Sequence, residues 1–114
     1  MEIKTNDYSV TYNPETITVS FQGSLRLGGS EEYTPIVDLL NEAAKNEPEI
    51  VTLDLKELEF LNSSGISMLS KFVINIRKKK TSSITVKGSN AIPWQGKSLK
   101  NLQRLMPTLI LELE

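Results

Sequence analysis

The run Ile50-Val51-Thr52-Leu53-Asp54-Leu55, together with the residues just after it, limits the fold more tightly than any other part of the chain. Its β-branched and leucine side chains predict a strand, and their density predicts one buried on both faces. The apolar character reaches Leu61 and stops at Asn62-Ser63-Ser64-Gly65. Directly afterwards Ile66, Leu69, Phe72, Val73 and Ile76 recur at helical spacing and fall within one arc of about 120°, a core stripe. A strand, a polar break and an amphipathic helix in immediate succession set the chemistry of this chain at a strand-to-helix junction.

Other segments supply the partners this unit needs. Tyr8–Tyr12 alternates weakly and Ile17–Phe21 alternates well, with Asn13-Pro14-Glu15 between them, which predicts an antiparallel hairpin. Gly23, Gly28 and Gly29 bracket a short extended piece. Ile36, Leu39, Leu40 and Ala43 have the spacing of a helix, starting either from a Ser30 cap or from a Thr34 cap with Pro35 at the first helical position. The helix after the polar break is predicted over roughly Ser64 to Lys79, with Arg77-Lys78-Lys79-Lys80 complementing the dipole at its end. Ser83–Lys87 is a short strand and residues 88–96 a loop. Residues 97–106 form a third helix with Leu99, Leu102, Leu105 and Met106 inward, and residues 108–114 a last strand suited to a sheet edge. The order β-β-α-β-α-β-α-β predicts an α/β fold, a single domain over residues 1–114 with helices packed on a mixed sheet.

The inventory excludes much chemistry. The 114 residues include no cysteine and no histidine, which removes thiol catalysis, disulfides, zinc sites of the usual kind and Ser-His-Asp hydrolysis. With 39% hydrophobic and 24% charged residues, the composition is that of a globular domain with one core. No apolar run approaches a membrane span, and the first ten residues lack a signal peptide's apolar stretch, so a cytoplasmic location is expected. The net charge of −1 conceals a division: residues 1–60 carry twelve acids and four bases, residues 61–114 two acids and nine bases. A solvated surface or an electrostatic docking face would both use it.

Asn62-Ser63-Ser64-Gly65 has no companion glycine-rich phosphate loop, no Gly-x-Ser-x-Gly setting and no histidine to activate a serine. Two readings stand. Asn62 or Ser63 caps the helix through its side-chain oxygen and does nothing more. Alternatively, the same free N–H groups and positive dipole end favour an anion, including a phosphate on Ser63. Trp94, the only tryptophan, is expected to anchor the third helix, since one aromatic among basic neighbours makes a poor nucleic-acid patch.

Taken together, "VTLDL" and "EFLNSSGISMLSKFV", with the hairpin before and "SITVKGS" after, resemble the STAS domains of bacterial anti-sigma factor antagonists. In that family a strand ends in Asp-Ser-Ser/Thr-Gly, and the first hydroxyl after the Asp is phosphorylated by a partner kinase. The resemblance implies a non-enzymatic switch without cofactor or metal, phosphorylated at Ser63. Its partners would be a serine kinase or anti-sigma factor and a phosphatase, with no direct nucleic acid and no membrane. The implied docking surface comprises Asn62, Ser64, Gly65, Ser67, Met68 and Lys71, with Met68 presenting an exposed thioether. Asn62 stands where the family has Asp, which removes a charge beside the acceptor; Asn62→Asp is expected to fold normally. The Asn-Ser-Ser version also resembles SiaC-like regulatory phosphoproteins, which control a cyclic-di-GMP-synthesising enzyme. A small nucleotide-binding domain using the 23–29 loop with Asp54 or Glu57 is the alternative from another class.

Overall fold

The computed structural model describes residues 1–114 and begins with an antiparallel meander: β1 (Glu2–Lys4), β2 (Tyr8–Asn13) and β3 (Thr18–Leu25). The predicted hairpin is β2–β3, with Val10 opposite Phe21 and Tyr12 opposite Val19. Its turn is held by the Glu15 N–H donating to Asn13 Oδ1 at 3.0 Å. β1 is absent from the sequence-based expectation, because three residues carry too little alternation to be read.

From β3 onward the chain repeats one operation. α1 (Thr34–Ala44) crosses to β4 (Ile50–Leu61), α2 (Ser63–Lys79) crosses to β5 (Ser83–Gly88), and α3 (Gln95–Leu105) crosses to β6 (Ile110–Leu113). All three new strand pairs are parallel, and the six-stranded sheet keeps the order β1-β2-β3-β4-β5-β6. Because each crossover steps the same way and such crossovers are right-handed, the helices gather on one face of the sheet.

This one-sided cover corrects the expectation that Ile50–Leu55 is buried on both faces. Val51, Leu53 and Leu55 are buried, whereas Ile50 is exposed and Thr52 and Asp54 are half-buried on the uncovered side. The density of apolar residues suggested two covered faces; the parity of the buried ones shows one. The core lies between this face and the helices, a continuous cluster of 26 buried hydrophobic residues.

Helix starts also differ from expectation. α1 starts at Thr34 with Pro35 second, so neither expected start holds: neither Ser30 nor Thr34 caps it, and Tyr33 takes that position without a side-chain cap bond. α3 begins at Gln95, two residues early, and the reason is packing. Gln95 is fully buried, its Nε2 donating to the Leu55 and Leu58 carbonyls at 2.6 and 3.0 Å and its Oε1 accepting from the Ser89 N–H at 2.7 Å. One side chain thus serves three backbone groups at the irregular end of β4. Trp94 anchors α3 as anticipated, donating from Nε1 to the Glu59 carbonyl at 3.0 Å.

Candidate functional site

Pairing with β3 delivers β4 to the junction, where the Asn62 N–H donates to the Leu25 carbonyl at 3.1 Å. Asn62 is extended, with φ −78° and ψ 176°, and its Oδ1 accepts from the Gly65 N–H at 3.0 Å. It is therefore the N-cap of α2, serving one of the donors that every helix start leaves open. The same oxygen accepts from the Tyr33 hydroxyl at 2.7 Å, while Nδ2 donates to the Leu27 carbonyl at 2.8 Å. One amide thereby ties the end of β4, the segment after β3 and the approach to α1 to a single point.

The neighbours are fitted to that knot. Tyr33 is fully buried, and burial is the main cause that pushes its phenol above the usual value of 10.0. A Cβ on Gly65 would run into the Leu61 side chain and stand 2.7 Å from the Tyr33 hydroxyl. Glycine is there for space. Ser63, the first helical residue, is exposed, and Ser64 is half-buried. Neither of their N–H groups has an acceptor within the protein, and the first turn holds no acid. The cap thus leaves an exposed hydroxyl at the positive end of a 17-residue helix, where an added anion is stabilised.

From this point a groove of about 290 Å³ runs between α1 and α2. Ser64, Ser67, Met68 and Lys71 line its α2 wall, and Tyr33, Val37 and Leu40 its α1 wall. Four of the six residues expected to face a partner therefore share one concave surface beside Ser63. The expected exposure of two of them does not hold. Met68 is only 6% exposed, because α1 packs over this side of α2 and widens the buried arc beyond the predicted stripe. Gly65 is buried beneath Leu61 and Tyr33. Ile66, placed in the core stripe by its spacing, is half-buried.

Sequence reasoning missed Tyr33, Leu27 and the α1 wall as parts of the site, residues that lie 22 to 35 positions before Asn62. The only signal was an aromatic residue just ahead of Thr34-Pro35. The alternative nucleotide site does not assemble. Gly23 lies within β3 at φ 88°, packed on the Asp7 backbone, whereas Gly28 and Gly29 lie in the loop after it. Asp54 and Glu57 lie at the sheet's uncovered face, the first 3.9 Å from Lys56 and the second accepting from Gln22 at 2.7 Å. No group of three acids is placed to hold a metal ion, and no helix is long and apolar enough to cross a membrane.

Comparison with known proteins agrees with this fold. The model of the STAS domain family matches residues 8–91. No curated protein matches the chain by sequence. Among solved structures, a chain in the crystal structure of the diguanylate cyclase SiaD in complex with its activator SiaC from Pseudomonas aeruginosa superposes with a TM-score of 0.75 at 13% identity, covering 100% of this chain and 99% of that one. SiaC of Pseudomonas aeruginosa gives 0.73 at 12% identity, covering 100% and 96%. The apo form of SiaC from the same organism gives 0.74 at 10% identity, covering 100% and 97%. At such identities these structures speak for a shared fold.

Proposed function

The chain belongs to the STAS domain family, and from that premise we propose that it is a non-enzymatic regulatory domain whose binding to a protein partner is gated by phosphorylation at Ser63. One observation carries this reading: the hydrogen bonds of Asn62 build the start of α2 so that Ser63 is exposed beside a groove while Asn62 and Gly65 are hydrogen-bonded beneath it. Ser63, Ser67 and Lys71 are the exposed docking residues; Asn62, Gly65 and Met68 support them from beneath.

In the unphosphorylated state the domain engages a switch kinase or anti-sigma factor. Phosphate on Ser63 adds roughly −1.5 to −2 charges and three acceptor oxygens at the contact. The N-terminus of α2 tolerates that charge, so the fold persists, whereas a surface fitted to a neutral hydroxyl does not accept it. A phosphatase restores the first state. The second reading is a partner of another class, a cyclic-di-GMP-synthesising enzyme; SiaC, the activator in complex with the diguanylate cyclase SiaD, has the same fold along the whole chain. Both readings use the same residues and differ in what α2 meets.

Intact-mass measurement after incubation with the cognate kinase tests the site. One phosphate is expected on the wild-type protein and none on Ser63→Ala. Equal modification of Ser63→Ala would transfer the acceptor role to Ser64 or elsewhere.

A further inference from the structure

The groove between α1 and α2 has a chemistry of its own, separate from the exposed hydroxyl at its end. Its floor is hydrocarbon and aromatic: Val37 and Leu40 from α1, Met68 and Phe72 from α2. Its rim is neutral and able to hydrogen-bond, with Ser67, Asn41 and Asn75 along the edges. One lining residue is charged. That residue is Lys71, which makes no ion pair, and no carboxylate is among the lining residues.

An apolar floor, a few convergent polar groups and one unpaired cation form the usual composition of a small-molecule site, and about 290 Å³ is near the lower end of such sites. Along α2 the groove runs from Ser64 to Asn75, about 16 Å at the helical rise. We propose that this groove binds a small amphiphilic monoanion, its apolar body on Val37 and the exposed edges of Met68 and Phe72, above the buried Leu40, and its anionic head on Lys71. The lone cation excludes cationic ligands. The small number of donors disfavours heavily charged ones such as nucleotides. Tyr33 lies buried beneath one end of the groove and hydrogen-bonds the Asn62 cap, so an occupant sits above the network that presents Ser63. The site exists in the isolated chain and does not depend on Ser63 being phosphorylated.

Octanoate serves as the probe, with octylammonium as the matched cation, each titrated into the purified 114-residue chain and followed by amide chemical shifts. Saturable shifts are expected with octanoate, concentrated at Leu40, Ser64, Ser67 and Lys71, and at least tenfold weaker binding of octylammonium. Lys71→Gln, at an exposed position, should fold as wild type and bind octanoate at least tenfold more weakly. Ser67→Trp, which fills the groove from its rim, should abolish the shifts while Lys71 itself is retained. Shifts that fail to saturate, equal responses to the two probes, or unchanged affinity in Lys71→Gln overturn the proposal. In the first of these cases the groove is left to a side chain of a protein partner.

Discussion

At the scale of single residues, the account turns on Asn62. The amide is required because it accepts twice through Oδ1 and donates once through Nδ2. Aspartate supplies the acceptors but sets an anionic oxygen against the Leu27 carbonyl. The sequence alone suggested that Asn62→Asp would fold normally; the structure predicts instead a loss of about 1–3 kcal/mol in urea denaturation. Gly65→Ala should cost about 1–3 kcal/mol by overpacking against Leu61 and the Tyr33 hydroxyl. Tyr33 adds a pH dependence. Its phenol is raised in the folded state, so the neutral form is favoured there, and the contribution is complete below the unfolded value of 10.0 and lost as pH rises through the higher folded one. Thermal melts should therefore fall more steeply above pH 10 for wild type than for Tyr33→Phe, which gives up the hydrogen bond to Asn62 at a cost of about 1 kcal/mol. Identical alkaline profiles would remove Tyr33 from this role.

At the scale of elements, α2 was legible in the sequence because its stripe of Leu69, Phe72, Val73 and Ile76 is read from one helix alone. Met68 was misread because its burial comes from α1, an element that the spacing within α2 does not describe. β4 was found but assigned two covered faces, since composition reports apolar content and only the crossovers decide which side receives it. The groove was half legible for the same reason: its α2 wall follows the motif, and its α1 wall is brought there by the fold. These placements predict opposite outcomes for adjacent residues. Ser67→Glu, at the groove's rim, should stay within about 0.5 kcal/mol of wild type, while Met68→Lys should be strongly destabilised by burying a charge beside Phe72. Chemical denaturation of the two variants checks this, and equal stabilities would contradict the packing of α1 on α2. Gln95→Ala should cost about 2 kcal/mol or more, since it leaves the Leu55 carbonyl and the Ser89 N–H without their partner.

At the scale of the whole molecule, strand order equal to chain order turns a pattern in sequence into one in space. The acid-rich residues 1–60 build β1 to β4 and α1 towards one edge of the sheet; the base-rich remainder builds α2, β5, α3 and β6 towards the other. The domain is electrically two-sided despite a net charge of −1, and Ser63 and the groove lie along the seam. For a partner whose charges are complementary to both halves, the association rate should fall as salt rises from about 50 to about 300 mM and screening shortens the reach of both. The phosphate proposed at Ser63 would act on this same seam. In the proposed switch, phosphorylation of Ser63 releases a protein partner without unfolding the domain. Its most direct test is titration calorimetry of the cognate partner against wild-type protein and against protein carrying phosphoserine at position 63, with melting temperatures measured for both. At least tenfold weaker binding of the phosphorylated form, a difference of about 1.4 kcal/mol, with an unchanged melting temperature is the predicted result. Equal affinities in two equally stable proteins would contradict it.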